Sequence, residues 1–295
     1  MLDRLARTVG GHPYGDLFGF FAFSHGWTWA FWGVNVVGGL DAFGAGLPFT
    51  VLGGVGPMLG GIAMAYVTYG GVGLADLRRR LTDTAWLRSS WALLVVGLFP
   101  ALVVATGLVI AIATDASQPL DASELVALLG DPVALVGTTV VIVLVGPLPE
   151  EIGWRGYLLD RCQRRWSALA SGLFVGLVWA LWHAPLFVMP GYYANFDYSP
   201  TPIWFATSIV LGSVLYTWLF NNVARSVLAM IVLHTSGNFA GQVTEVPPVG
   251  EPIGVAVRAG LVVAVVALFG AGSLRRTGSA PEPPQERSVV HDPGG

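Results

Sequence analysis

The chain of 295 residues is 54% hydrophobic and only 11% charged, with a mean hydropathy of +0.66, a composition too apolar for a water-soluble domain of this length. Its formal net charge of −3 offers no basic surface for a nucleic acid. Cys162 is its one cysteine, which excludes a disulfide framework and a thiolate metal centre.

Stretches of about 20 apolar residues, enough to cross the hydrocarbon core, recur along the chain. They run over Leu17–Val37, Leu47–Tyr69, Trp91–Ala113, Val133–Leu159, Ala168–Met189, Ile203–Phe220, Ser226–Val243 and Ile253–Gly272. The expected fold is all-α, a polytopic membrane bundle of about eight transmembrane helices, forming one domain over residues 1–272. Arg4 and Arg7 precede the first stretch, as in a secretory signal, but its apolar run is long and aromatic and no small-residue cleavage site follows. Trp27, Trp29, Trp32, Trp86 and Trp91 are expected in the interfacial aromatic belt. Gly53, Gly54, Gly56, Gly60 and Gly61 are expected to let a neighbouring helix approach closely, with Gly56 and Gly60 as a small-xxx-small pair. Between the third and fourth stretches, Thr114–Asp131 is expected to hold a short amphipathic helix begun by Asp121-Ala-Ser-Glu124. Residues 273–295 read as a cytoplasmic tail, Pro-rich and polar from Gly278 onward and expected to be disordered.

The charges sort by side. With a cytoplasmic N-terminus, the inner segments carry Arg4, Arg7, Arg78, Arg79, Arg80, Arg88, Arg161, Arg164, Arg165, Arg225, Arg275, Arg276 and Arg287. The outer loops hold Asp41, Asp115, Asp121, Glu124, Asp131, Asp197, Glu245 and Glu251, with Arg258 the only basic residue near that face. The positive-inside rule therefore places both termini in the cytoplasm and favours an even number of spans. Arginine used without lysine, and the Ala/Gly/Val/Pro bias, point to a GC-rich genome; a bacterial cytoplasmic membrane is the expected location.

Ionisable side chains within a span are costly, and they mark function or pair with each other. Gly146-Pro-Leu-Pro-Glu-Glu-Ile-Gly-Trp-Arg-Gly156 places two carboxylates and an arginine inside the fourth stretch. Pro147 and Pro149 interrupt the backbone ladder there. Glu151 and Arg155, four residues apart, share a helix face and suit an ion pair. Glu150 points about 100° away and is left free; the alternative is that the whole cluster is a packing ion pair. In the fifth stretch Trp179 and His183 lie on one face, and in the seventh His234 and Asn238 do the same. Either histidine taken singly reads equally well as a side chain bonded to a neighbouring carbonyl or across a helix pair. Together, Glu and His can hold and deprotonate a water, while a second His with Asn can donate to an oxyanion. His25 and Asn35 read as packing features, and His12 and His291 as solvated residues.

Glu150-Glu151-x-x-x-Arg155, then Trp179-x-x-x-His183, then His234-x-x-x-Asn238, in that order on successive helices, resembles the CPBP family of CAAX prenyl endopeptidases and bacterial Abi or bacteriocin-processing intramembrane proteases. The resemblance covers residues 133–242. It implies an eight-helix bundle in which Glu150 and His183 activate water, His234 and Asn238 stabilise the oxyanion, and Glu151 and Arg155 support them. One departure is Trp179, where the family's second motif begins with Phe. Relatives labelled metalloproteases raise a Zn2+ alternative with Glu150, His183 and His234 as ligands; no His-Glu-x-x-His spacing occurs, so a glutamate-activated water needing no cofactor is the expectation. The expected partners are lipid and a peptide or membrane-protein substrate. A proton-coupled transporter and a non-catalytic scaffold or immunity protein are the readings from other classes. Counting ~1.5 Å per residue along straight helices separates Glu150 and His183 by roughly 10 Å in depth, so a bent fourth helix is required.

Overall fold

The computed structural model describes residues 12, 14–114, 120–194, 199–244, 247–279 and 282–284. Arg4, Arg7, Asp115, Asp197, Glu245, Arg287 and His291, with the rest of the tail from residue 285, lie outside the described residues. Every element among the described residues is helical. Helix α1 spans Gly15–Gly38, and the second apolar stretch divides at Val55 into α2 (Leu47–Gly54) and α3 (Gly56–Tyr69). The arginine-rich α4 (Gly71–Leu81), then α5 (Trp91–Thr114) and the short α6 (Ser123–Gly130) follow. The fourth stretch becomes α7 (Pro132–Val145), α8 (Pro147–Gly153), a π-helical segment (Trp154–Leu158) and α9 (Leu159–Gln163). The remainder comprises α10 (Ala168–Trp182), α11 (Pro202–Asn222), α12 (Val227–Val243) and α13 (Gly250–Phe269).

Among the described residues, five helical stretches are long and apolar enough to cross a membrane: Leu47–Tyr69, Trp91–Thr114, Pro132–Gln163, Pro202–Asn222 and Gly250–Phe269. α10 and α12 are shorter apolar helices. The chain is a polytopic helical membrane bundle. α1 has sufficient length at 24 residues but carries Ser24, His25, Thr28 and Asn35 and is not among the five. The fifth stretch, expected to reach Met189, ends as an α-helix at Trp182, ahead of Pro185 and a 3-10 turn over Ala184–Phe187. Proline lacks the amide that would continue the ladder, which accounts for the stop.

The segments that charge sorting assigns to one side do come together. Asp16, at the start of α1, pairs with Arg161 and with Arg165, the latter at 2.9 Å. Asp76 pairs with Arg80 at 2.8 Å and Arg225 at 3.1 Å, and Asp160 with Arg225 at 2.5 Å and Arg80 at 3.4 Å. At the other end, the Thr201 amide donates to Glu251 at 2.8 Å, and the Ala42 amide donates to the Pro190 carbonyl at 2.8 Å. Past α13 the chain stays docked. The Ala168 amide donates to Gly272 at 2.8 Å, and Leu274 is fully buried, inside the first residues of the expected tail.

Glycine permits the crossings that seat the fourth stretch. A Cβ on Gly61 would lie 2.5 Å from the Ile152 carbonyl oxygen, and one on Gly153 would lie 2.5 Å from the Pro57 carbonyl oxygen. α3 and α8 therefore touch backbone to backbone, as small residues allow in lipid. Gly56 serves α1 in the same way, with Thr28 Oγ1 only 2.2 Å from its Cβ position. Two of the expected belt tryptophans belong to the core instead. Trp32 and Trp86 are buried, and the Trp32 indole donates to the Thr50 carbonyl at 2.9 Å, beside the space left by Gly53. Trp27 and Trp29 remain at the periphery.

Candidate active site

The fourth stretch is built to break at the carboxylates. Asp131 caps α7, its side chain accepting from the amides of Val133 and Ala134 at 3.0 Å each, with Pro132 at the first helical position. The helix stops at Gly146, whose backbone (φ −121°, ψ −79°) is not helical, and restarts with Pro147. The required bend is thus present. The helix also runs to Gln163 rather than Leu159, which removes the depth mismatch. Counted from the inner ends, Glu150 lies thirteen residues from Gln163 and His183 fifteen from Ala168, about 20 and 22 Å.

The two glutamates divide as their spacing implies. Glu151 is fully buried, and both its oxygens accept from Arg155 Nη1, at 2.9 and 3.1 Å. Arg155 Nη2 donates to Ser213 Oγ at 3.2 Å, and its guanidinium lies 4.1 Å from the Tyr216 ring centre and 4.7 Å from that of Trp179. A buried pair is costly unless its hydrogen bonds are filled; here Arg155 Nε is buried with no hydrogen-bond partner among the described residues. Glu150 is 6% exposed and has no arginine in ion-pair range among the described residues. Its Oε2 accepts from Trp179 Nε1 at 2.5 Å and Trp154 Nε1 at 3.4 Å.

The histidines converge on these groups. His183 Nδ1 donates to the Trp179 carbonyl at 2.8 Å, which leaves Nε2 as the acceptor nitrogen of the neutral ring. His234 Nδ1 donates to Glu151 Oε1 at 2.9 Å, so this histidine is tied to the supporting pair as well as lying one turn from Asn238. Asn238 Nδ2 and Glu150 Oε1 flank Gly146, 3.3 and 3.5 Å from the place where a Cβ would stand. The six predicted residues therefore belong to one cluster. Among the described residues no three His, Cys, Asp or Glu side chains gather closely enough to hold an ion.

His25 and Asn35 are packing residues. His25 bonds the Val178 carbonyl at 3.2 Å, and Asn35 donates to Gly46 and Thr50 at 3.1 and 2.8 Å. Sequence reasoning missed four contributors: Trp154, Ser213 and Tyr216, which touch Glu150 or Arg155, and the indole donor of Trp179. Trp154 lies four residues after Glu150, a spacing that could have flagged it; the other contacts are tertiary and leave no local signal. An aromatic wall also runs out from His183, with Trp182 at 4.8 Å and Phe205 at 5.2 Å between ring centres, then Phe187 at 5.3 Å from Phe205.

Comparison with known proteins covers this region. Residues 132–240 match the family described as type II CAAX prenyl endopeptidase Rce1-like. The CAAX prenyl protease 2 of Methanococcus maripaludis is 29% identical over 97 residues, which make up 32% of this chain and 35% of that protein. The chain thus spans about a third of the length of this curated relative. The matched segment, which is similar to the type II CAAX prenyl endopeptidase Rce1-like family, holds the broken fourth helix, both histidines and Asn238.

Proposed function

We propose that the protein is an intramembrane endopeptidase that hydrolyses a peptide bond in a membrane-associated peptide or protein, in a bacterial cytoplasmic membrane. The observation carrying this reading is the buried Glu150 carboxylate, held by indole donors alone, while its neighbour Glu151 takes the arginine. A carboxylate kept in lipid without a counter-charge is a base awaiting a proton.

Water held between Glu150 Oε1 and His183 Nε2 gives a proton to Glu150 as its oxygen attacks the carbonyl carbon. The tetrahedral oxyanion accepts from Asn238 Nδ2, and from His234 Nε2 when that ring carries a second proton balanced by Glu151. Collapse breaks the C–N bond, and the proton on Glu150 passes to the leaving amine. The aromatic wall beside His183 suits an apolar side chain or lipid chain on the substrate. Prenylated C-terminal peptides, named for the relative, stand beside peptide pheromones, bacteriocin leaders and anchored regulators as candidates.

The test compares membrane peptidomes of cells carrying the native protein with those carrying Glu150→Gln. Peptides released only by the native protein are expected, and their release should withstand 1,10-phenanthroline. Cleavage retained in both Glu150→Gln and His183→Ala would refute the proposal.

A further inference from the structure

We infer that Trp179 is a positioning residue for the Glu150 carboxylate: its indole N–H fixes one oxygen and leaves the other to face the substrate water. The inference rests on the peptidase reading above and adds a donor that phenylalanine, the residue usual at this place in the family, lacks.

The contacts of Trp179 reach Glu150, Arg155, His183 and His234. Its Nε1–H donates to Glu150 Oε2 at 2.5 Å, whereas Trp154 reaches the same oxygen only at 3.4 Å. Both donors thus lie on Oε2, while Oε1 faces the space at Gly146 with Asn238 Nδ2 beside it. The ring is itself held in place: Trp179 is 6% exposed, and the Arg155 guanidinium sits 4.7 Å from its ring centre. His234 packs edge-on against it at 5.2 Å, and its backbone carbonyl orients His183 at 2.8 Å. One residue therefore serves both groups: its side chain holds the base, and its backbone carbonyl orients the water-binding histidine. Phenylalanine would preserve the ring contacts and remove only the donor, so a packing role and a positioning role are separable. A hydrogen bond to an ionised group is stronger and more directional than a neutral one, which suits it to holding a carboxylate in a reactive orientation.

The test uses the full chain in detergent micelles. In the first arm the tryptophans are labelled with 15N, and the Trp179 indole resonance is identified by its loss in Trp179→Phe. Glu150→Gln is expected to move that resonance and to leave the peripheral Trp27 resonance in place. In the second arm the probe is the peptide released most strongly by the native protein relative to Glu150→Gln. Trp179→Phe is expected to lower kcat about tenfold with KM within about twofold. Trp154→Phe should lower kcat less. A melting temperature near the native one shows that Trp179→Phe is folded. An indole resonance indifferent to Glu150→Gln, or a folded Trp179→Phe with native kcat, would overturn the inference. Cleavage surviving in both Glu150→Gln and His183→Ala would instead remove the peptidase reading, and the indole arm would still decide the hydrogen bond.

Discussion

Replacing Arg155 by methionine removes the cation from a fully buried pair and leaves the Glu151 carboxylate in an apolar bundle. Two hydrogen bonds to Glu151, one to Ser213 and the stacking on Tyr216 and Trp179 disappear together. Breaking a buried pair from one side costs about 3–5 kcal/mol, mostly for the stranded charge. His234 still contacts Glu151 at 2.9 Å, so the lower end, about 3 kcal/mol, is expected. At ~1.4 kcal/mol per decade that is a shift of about two decades in the unfolding equilibrium. The double variant Glu151→Gln, Arg155→Met strands no charge and should lose less than Arg155→Met alone. Both are measurable by SDS titration in mixed micelles, followed by far-ultraviolet circular dichroism. If Arg155→Met costs under about 1 kcal/mol, or the double variant is as unstable as the single one, the stranded-charge reasoning fails.

Three other perturbations follow from the same geometry. Gly61→Ala puts a Cβ 2.5 Å from the Ile152 carbonyl oxygen, and overpacking of about 1–3 kcal/mol should lower the melting temperature and displace α8, reducing cleavage. Gly146→Ala should leave melting nearly unchanged while lowering kcat about tenfold, since its methyl enters the space between Glu150 Oε1 and Asn238 Nδ2. Asp76, on α4 outside the spans, is pushed up by burial, but Arg80, Arg225 and Arg79 outweigh this and hold its carboxyl below the ordinary value. Its stabilisation is therefore present above the ordinary carboxylate value and lost as pH falls through the lowered one. Asp76→Asn should melt lower at pH 7 and lose less on acidification, as melting curves from pH 7 to pH 3 would register.

The Glu151–Arg155 pair was legible because an (i, i+4) spacing is a local rule that burial strengthens. The helix break was equally legible, since proline acts on its own turn. The inner end of the fourth helix was not. The fourth stretch is expected to end at Leu159 with Arg161 in the inner segment, but Asp160 and Arg161 are both buried in ion pairs with Arg225, Arg80 and Asp16, and the helix continues to Gln163. Trp32 and Trp86 were misplaced because tryptophan suits an interface and a core equally, and only the Gly53 gap and the Thr50 carbonyl decide for Trp32. Trp179 was seen as a ring and missed as a donor, because its acceptor lies 29 residues away on another helix.

The π-helical segment at Trp154–Leu158 makes the fourth helix an object with two phases. Arg80 closes it by donating to the carbonyls of Arg155 at 3.2 Å and Gly156 at 2.6 Å. An extra residue in one turn offsets everything after it by about 100° relative to everything before. Glu150 and Glu151 are thereby aimed at the histidines while Asp160 and Arg161 are aimed at the ion pairs of the inner face. Deleting a single residue from 154–158 would keep nearly all the side-chain chemistry and still force a choice between the two alignments. In this stretch length is a stricter requirement than composition, and a one-residue deletion should be more damaging than most substitutions there.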